Sequence, residues 1–441
     1  MPVGVFAVAL LAVSWVPLTN LYAPAGERNR SGVPDEAAPA GLPRTAPRIL
    51  VQPFQNVGEP QYLSLAFGVT EEVMSRLARY PDLEIHVEGS QYFGGSEASA
   101  QRSDTGNVDY VLTGSVRNTA STIRVSPRLL DARSGRQIWT VTFEQDFDVN
   151  TVWTILDSIA GSVATTVGEP YGPVFDAEVA RVQGADVENI DAYHCVLRFL
   201  FALQVLSEDA HGRATACFEH VVATEPASST SWARLATLYR MEYLHDFNPK
   251  PDAAPPLERA LDAARRALDS DFDDAFAHQE MAFLCLLRED PVCFEEEIAR
   301  TLALDPTADV RAAIGVNFVK MGETERGFAL IEQGRAESPR APPFFFLGYV
   351  VYSLRMRDLE AAFAWAERME APEWPLSQAV LAAVAALTER PERARHAAER
   401  LLELRPDFAT NGRGLIARGK LGVEVESLLV EGLARAGVEL E

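Results

Sequence analysis

The sequence predicts an α+β amino-terminal domain followed by an all-α array of helical hairpins, with one transmembrane helix ahead of both. Three observations predict this order. An uncharged apolar run opens the chain, residues 48–175 carry alternating strand and helix patterns, and residues 176–408 are helical with a repeat of about 34 residues. A chain of 441 residues is long enough for two or three domains.

The first 23 residues predict a membrane anchor. Pro2 to Ala23 forms an apolar stretch of 22 residues, and a helix needs about 20 residues to cross a bilayer. Trp15 and Tyr22 occupy positions typical of an interfacial aromatic belt. A cleaved signal peptide with its cleavage site at residues 23–25 is the alternative. Because no Lys or Arg precedes the apolar run, the sequence favours an uncleaved anchor.

Residues 24–47 are rich in Pro, Ala and Gly and show no apolar period. This composition predicts a flexible, partly extended linker between the anchor and the folded body. Arg28 and Arg30 follow the apolar span, and only the α-amino group precedes it. The positive-inside rule therefore favours a cytoplasmic body.

Residues 48–175 predict a domain with the order β-α-β-β-β-α. Apolar residues recur four apart from Leu65 to Leu77, which predicts a helix over residues 62–80, and a second helix begins at about Asn150. The strand patterns cover residues 48–54, 83–87, 110–116, 122–130 and 136–143. Antiparallel hairpins would place both helices on one side of the sheet.

Residues 176–408 match the tetratricopeptide pattern, a unit of two antiparallel helices. The clearest match puts Trp232, Leu235, Ala236 and Tyr239 at the bulky, Leu-Gly-like and aromatic positions of the first helix. We expect about six units between residues 195 and 408, which makes this part a tetratricopeptide solenoid. The second unit holds a 12-residue insertion (HDFNPKPDAAPP), and the fourth, around MGETERGFALIEQ, is degenerate. Residues 409–441 are predicted to cap the stack with a final helix.

The four cysteines are Cys195, Cys217, Cys285 and Cys293. No two form a C-x-x-C pair, so their spacing does not support a metal cage. We expect four small apolar side chains packed in helices. The alternative is one disulfide between Cys285 and Cys293, on neighbouring helices of one hairpin, which requires an oxidising compartment.

The net charge and the absence of known catalytic motifs exclude several classes of function. The net charge is −23, with 63 acidic against 40 basic residues; this balance argues against direct binding of nucleic acid, which relies on Lys and Arg. The sequence contains no phosphate-binding loop, no H-E-x-x-H and no G-x-S-x-G. We therefore expect no enzyme activity, no catalytic residue, no cofactor and no metal.

Stacked hairpins present their first helices on a concave face that can bind a peptide or a partner's helix. By analogy with tetratricopeptide units, the face-lining positions are Thr237, Arg240, Gln279, Phe283, Asn317, Lys320, Phe345, Tyr349 and Tyr352. Aromatic residues and Arg commonly anchor interfaces. The sequence thus predicts a protein or peptide partner held in this groove, with part of the set belonging to the core between repeats.

From Arg48 onward the chain also resembles a known combination, the TolB amino-terminal-like domain followed by tetratricopeptide repeats. The resemblance is carried by Pro53-Phe54, residues 68–72 (GVTEE), residues 114–116 (GSV), Leu130-Asp131, Gly135 and Trp139. In bacteria this combination occurs in CadC-like membrane-bound transcription regulators and in proteins built around class III adenylate cyclases. The resemblance implies a single-pass protein of the bacterial inner membrane with a periplasmic body, the opposite side from the charge rule.

The function predicted is that of a non-catalytic, membrane-anchored scaffold which binds a partner protein through its tetratricopeptide groove. The alternative is the sensory portion of a membrane-bound transcription regulator or an adenylate cyclase system. Related regulators carry a DNA-binding or cyclase domain before the span, whereas here the span opens the sequence. Either the chain acts alone, or an output domain lies upstream.

Overall fold

A computed structural model describes residues 46–80, 82–87, 108–119, 121–146, 151–169, 172–182, 192–304, 306–337, 342–369 and 371–441. The predicted anchor (residues 1–23), nearly all of the predicted linker and the polar segment 88–107 lie outside these residues. Within the described part of the chain, no helix has the length and apolarity needed to cross a bilayer. The anchor therefore stays a prediction.

A mixed sheet opens the described chain. Its strands are β1 (Arg48–Val51), β2 (Gln55–Asn56), β3 (Glu84–Val87), β4 (Tyr110–Asn118), β5 (Thr122–Asp131), β6 (Gln137–Thr140) and β7 (Phe143–Asp146). The order across the sheet is β3-β1-β4-β5-β6, with β2 beside β4 and β7 beside β5. The predicted antiparallel hairpins are confirmed for β4 to β7. β1, which lies outside the predicted hairpins, pairs in parallel with both β3 and β4, and α1 carries the chain back between β1 and β3.

Two helices, α1 (Leu63–Leu77) and α2 (Val152–Gly168), pack against the sheet. Tyr110, Leu112 and Val116 alternate along β4 into one core with both helices, while the residues between them stay more exposed. Within the described residues the order is β1-β2-α1-β3-β4-β5-β6-β7-α2. The predicted order β-α-β-β-β-α places both helices correctly, but it has four strands where the structure has seven.

The rest of the described chain is helical. The helices are α3 (Pro173–Val182), α4 (Ala192–Val205), α5 (Glu208–Thr224), α6 (Ser229–His245), α7 (Pro256–Ser270), α8 (Ala275–Leu287), α9 (Pro291–Ala303), α10 (Ala308–Met321), α11 (Thr324–Glu337), α12 (Pro343–Arg355), α13 (Leu359–Arg368), α14 (Pro375–Leu387), α15 (Pro391–Leu404), α16 (Phe408–Arg418) and α17 (Val423–Arg435). From α4 to α15 they form consecutive hairpins, a tetratricopeptide-like array. The predicted capping helix corresponds to α17, but it is not single, because a second helix, α16, precedes it.

The fourth predicted unit, which matches the repeat pattern only weakly, still forms a hairpin, α10–α11. Its helices cross at Gly315 and Gly327: a Cβ atom on Gly327 would lie 2.5 Å from the Gly315 oxygen, and one on Gly315 would lie 2.6 Å from the Gly327 oxygen. Glycine occupies the position of close helix contact at which a typical unit has alanine. The match to the repeat pattern is weak for this reason.

Helix α3 belongs to both parts of the fold. Val174 packs in the core of the sheet domain, whereas the adjacent Phe175 packs in the core of the array. The predicted domain boundary at residue 175 therefore falls inside a helix that both cores share. A further link is the ion pair between Arg234 of α6 and Asp82, which lies two residues before β3, at 2.6 Å.

Two disulfides join the helices within hairpins. Cys195 on α4 pairs with Cys217 on α5, and Cys285 on α8 pairs with Cys293 on α9. The expectation of four unpaired cysteines is wrong, since antiparallel packing brings the Cα atoms of each pair to 5.5 and 5.8 Å, within the range for a disulfide. The alternative pair Cys285–Cys293 is confirmed, and Cys195–Cys217 was not foreseen.

Candidate binding site

The first helices of the hairpins surround an inner cavity of about 140 Å³. Each of α4, α6, α8, α10, α12 and α14, or a residue next to it, supplies at least one lining side chain. Most of these are apolar, among them Leu203, Met241, Phe276 and Leu347. The stacking of hairpins thus converts one face of each first helix into the wall of a single internal space.

Helix α16 covers this space on one side. Leu415 of α16 and residues 419–421 after it line the cavity. Arg418 donates to the main-chain oxygen of Tyr243 on α6 at 3.1 Å. The concave face is therefore a partly covered cavity in this conformation, and not the fully open groove that the sequence predicts.

A buried ion pair crosses from α6 to α8 at the cavity wall. Arg240 donates two hydrogen bonds to the carboxylate of Glu280, both at 2.9 Å, and its guanidinium lies 5.3 Å from the ring centre of Phe283. Glu280 is 0 % exposed. Because a bidentate pair neutralises both charges, Arg240 and Glu280 together add little net charge to the cavity.

Gln279 contributes an unsatisfied acceptor. Its side chain lines the cavity at 4 % exposure, and its Nε2 atom donates to Glu280 at 3.3 Å. Its Oε1 atom has no hydrogen-bond partner. Because the carboxylate of Glu280 can only accept, the amide end beside it must be the Nε2 donor. The Oε1 acceptor is therefore the end without a partner. A buried carbonyl oxygen without a donor costs about 1–3 kcal/mol.

Lys320 contributes an unbalanced cation. It lies at the end of α10 and lines the cavity, and no hydrogen bond or ion pair of its ammonium group occurs within the described residues. Burial first, and then the nearby guanidinium of Arg240, lower the pKa of Lys320 to about 8. No carboxylate acts on it, so at neutral pH the cavity holds one ammonium group without a counter-charge.

His245 lies at the end of α6 beside the same space. Burial lowers the pKa of His245 to about 3, and the cations of His211, Arg240, Lys320 and Arg405 act in the same direction. Its ring contacts those of Phe247 and Trp374. The side chain is therefore neutral at physiological pH and adds no second positive charge to the cavity.

The structure brings together six of the nine residues predicted for the groove: Thr237, Arg240, Gln279, Phe283, Asn317 and Lys320 all line the cavity. Asn317 donates its Nδ2 to the main-chain oxygen of Ala313 at 2.9 Å. That the six contact a ligand or partner stays a prediction.

The other three lie elsewhere. Phe345 and Tyr349 are each 1 % exposed in the cores between helices, and Tyr352 stacks on Phe328 at 4.1 Å. These aromatic side chains fill the space between α11, α12 and neighbouring helices. The lining residues that repeat spacing missed include apolar residues within the first helices, such as Val316, and residues near helix ends, such as Asp309 and Lys420.

Comparison with known proteins finds similarity without a family assignment. No family model matches the chain. The putative adenylate cyclase 3 of Rhizobium meliloti (strain 1021) is 25 % identical over 248 residues, covering 55 % of this chain and 41 % of that protein. The chain thus spans about two fifths of the length of the curated relative that it matches.

Solved structures with similar parts include both kinds of element. The APC/C hetero-tetramer Cut9–Hcn1 covers 66 % of this chain and 54 % of its own at 12 % identity and a TM-score of 0.40. The type IV pilus biogenesis factor PilW covers 48 % and 94 % at 17 % identity and a TM-score of 0.33. TolB from Acinetobacter baumannii covers 32 % and 30 % at 17 % identity and a TM-score of 0.20. These scores are low, so the fold rests on the elements of this chain itself.

Proposed function

We propose that this chain is a non-catalytic scaffold that binds a partner protein through its helical array. The observation that supports this is the convergence of Arg240, Gln279, Asn317 and Lys320, from three successive first helices, on one inner face. Stacked hairpins of this kind offer such a face for binding. Because α16 covers it, the partner enters as a short segment or displaces α16.

The test is crosslinking of the full-length chain in cells, followed by mass spectrometry of the captured proteins. We expect a protein whose recovery falls at least fivefold when Asn317→Ala alters the inner face. Arg395→Ala on α15, whose side chain is 69 % exposed, is the matched control and should leave that recovery unchanged. The proposal fails if no captured protein depends on the inner face while both variants remain folded.

Membrane anchoring and a periplasmic body belong to the same proposal. The apolar run at residues 2–23 supports the anchor, and two disulfides support an oxidising compartment. A phosphatase reporter that works only in the periplasm, fused after Glu441, should be active. Silence of this reporter, with a cytoplasm-active reporter working at the same site, would place the array in the cytosol.

A second candidate function is the sensory portion of an adenylate cyclase system. The similarity to the putative cyclase of Rhizobium meliloti supports it. The DNA upstream of the codon for Met1 distinguishes the candidates. An in-frame cyclase or winged-helix segment there supports the sensory role, whereas a stop codon just upstream rules out the single-chain form of it.

A further inference from the structure

We propose that the inner cavity is a binding site for a small apolar carboxylic acid that also carries a hydrogen-bond donor, with its carboxylate against Lys320 and its donor on Oε1 of Gln279. This ligand site lies on the same inner face as the partner-protein function proposed above, but it does not depend on that function. It follows from three features of the cavity, which are its size, its unbalanced charge and its unsatisfied acceptor.

The size of the cavity limits the ligand. A volume of about 140 Å³ is close to that of an engineered apolar cavity of about 150 Å³ that stays dry and binds benzene. The whole ligand therefore has about six carbon atoms. The wall that meets it includes Leu203, Met241 and Phe276. A folded domain or a helix cannot occupy this space while α16 is in place.

The charge of the cavity selects an anion. Among the charged side chains that line it, Arg240 is neutralised by Glu280, and Lys420 pairs with Glu289 at 2.6 Å. Asp309 precedes Lys320 by 11 residues on α10, about 16 Å along a helix, and does not act on it. His245 is neutral. Lys320 is thus the cation without a partner, and a bound carboxylate would offset the free-energy cost of burying its charge.

The unsatisfied oxygen of Gln279 selects the second group. Oε1 accepts no hydrogen bond from the protein, and a simple carboxylate or hydrocarbon offers it no donor. A hydroxyl or amide N–H on the ligand satisfies it. The combination describes a small hydroxy acid with an aliphatic body.

The experiment is calorimetric titration of the full-length chain with three probes that share one carbon skeleton. The probes are 2-hydroxy-4-methylpentanoate, 4-methylpentanoate, which lacks the hydroxyl, and 4-methylpentane-1,2-diol, which lacks the charge. We expect the hydroxy acid to bind most tightly. The diol should bind at least about tenfold more weakly, as a lost bond to a charged group predicts, and the simple acid about fivefold more weakly.

Two lysine variants make the charge test specific, because Lys320 lines the cavity and Lys250 does not. Lys320→Met should weaken binding of the hydroxy acid at least about tenfold. Lys250→Met removes a lysine outside the cavity that pairs with Glu219 at 2.7 Å and should leave the affinity within about twofold. Circular dichroism confirms that both variants are folded.

A further readout is proton uptake. If the carboxylate lies against Lys320, binding raises the pKa of Lys320 from about 8, so the complex takes up a proton near pH 8, and Lys320→Met does not. The proposal is overturned if the hydroxy acid does not bind the wild-type chain, if the diol binds as tightly, or if Lys320→Met binds like wild type. None of these results bears on capture of a partner protein.

Discussion

The guanidinium of Arg405 donates a hydrogen bond to the main-chain oxygen of His245 at 3.0 Å, although 160 residues separate the two in sequence. Arg405 follows α15, and His245 ends α6. In an open solenoid each repeat contacts only its neighbours. Here the end of the array returns to an early hairpin and closes the inner cavity.

The first prediction concerns this closure. Arg405→Met removes the bond to His245 and the pairs with Asp246 and Asp407. The side chain is 12 % exposed, so the opening free energy of α16 should fall by about 2 kcal/mol. Amide hydrogen exchange in α16 should therefore be about 30-fold faster. Arg395→Met, on the exposed face of α15, is the control, and equal effects of both variants would contradict the closure.

A second prediction tests the crossing of α10 and α11. Gly327→Ala places a Cβ atom 2.5 Å from the Gly315 oxygen and 2.6 Å from the Val319 nitrogen. We expect a loss of about 2 kcal/mol in the free energy of unfolding. Gly414→Ala is the same change on α16, where a Cβ atom meets nothing within 4 Å, and should stabilise by up to about 1 kcal/mol.

Calorimetric unfolding of the two variants gives this comparison directly. Opposite signs of the change in melting temperature support the close crossing of the helices. A melting temperature for Gly327→Ala at or above that of the wild type would show that α10 and α11 do not pack as described.

The third prediction concerns the disulfides. The double variant Cys195→Ser/Cys217→Ser opens a loop with a sequence separation of 22 residues, which corresponds to about 3 kcal/mol in the chain-entropy model. Opening Cys285–Cys293, with a separation of 8, corresponds to about 2.5 kcal/mol. Thermal unfolding of each double variant measures these losses.

Alkylation of the chain taken directly from cells provides the check on redox state. A mass without alkylated cysteines before reduction, and with four after it, shows that both disulfides form where the protein works. Four alkylated cysteines before reduction would contradict both the disulfides and the oxidising compartment.

The fourth prediction is an acid-side loss of stability from His245. Its pKa falls from 6.5 to about 3 on folding, because burial disfavours the imidazolium. Below pH 6.5 the imidazole of His245 binds a proton in the unfolded chain, whereas in the folded chain it does so only below about pH 3. The stability from this group is therefore complete above pH 6.5 and decreases as the pH falls, by up to about 1.4 kcal/mol per pH unit.

His245→Phe keeps an aromatic ring against Phe247 and Trp374 and cannot take a proton. Denaturation followed between pH 7 and pH 4 should show a shallower decline for this variant than for the wild type. His396→Phe, on an exposed position of α15, should retain the wild-type slope. Identical slopes in all three proteins would show that His245 does not titrate as described.

Local patterns predicted the elements well. Spacing of four from Leu65 to Leu77 gave α1 to within a few residues, and the match at Trp232, Leu235, Ala236 and Tyr239 located α6. Repeat spacing also placed Gln279, Asn317 and Lys320 on the inner face. These features depend on neighbours along one helix, which a sequence shows directly.

Features that depend on distant residues were not predictable in this way. The return of α16 to α6 rests on Arg405 and Arg418 reaching main-chain oxygens, for which sequence spacing gives no signal. Tyr349 has the repeat position of a groove residue, yet its ring stacks on that of Trp365 with 4.3 Å between the ring centres. It lies in the core because it packs against bulky aromatic neighbours. Cys195–Cys217 depends on the packing of two helices, which spacing alone does not fix.

The closure between Arg405 and His245 sets the number of repeats. Open helical arrays lengthen or shorten by duplication or loss of a hairpin, since every internal junction is alike. In this chain an added or deleted hairpin would move Arg405 away from the end of α6. Helix α16 would then lose its contact with α6, and the cavity would lose the wall that α16 provides. We therefore expect selection to remove insertions and deletions of hairpins within the array. The array is expected to vary by substitution alone.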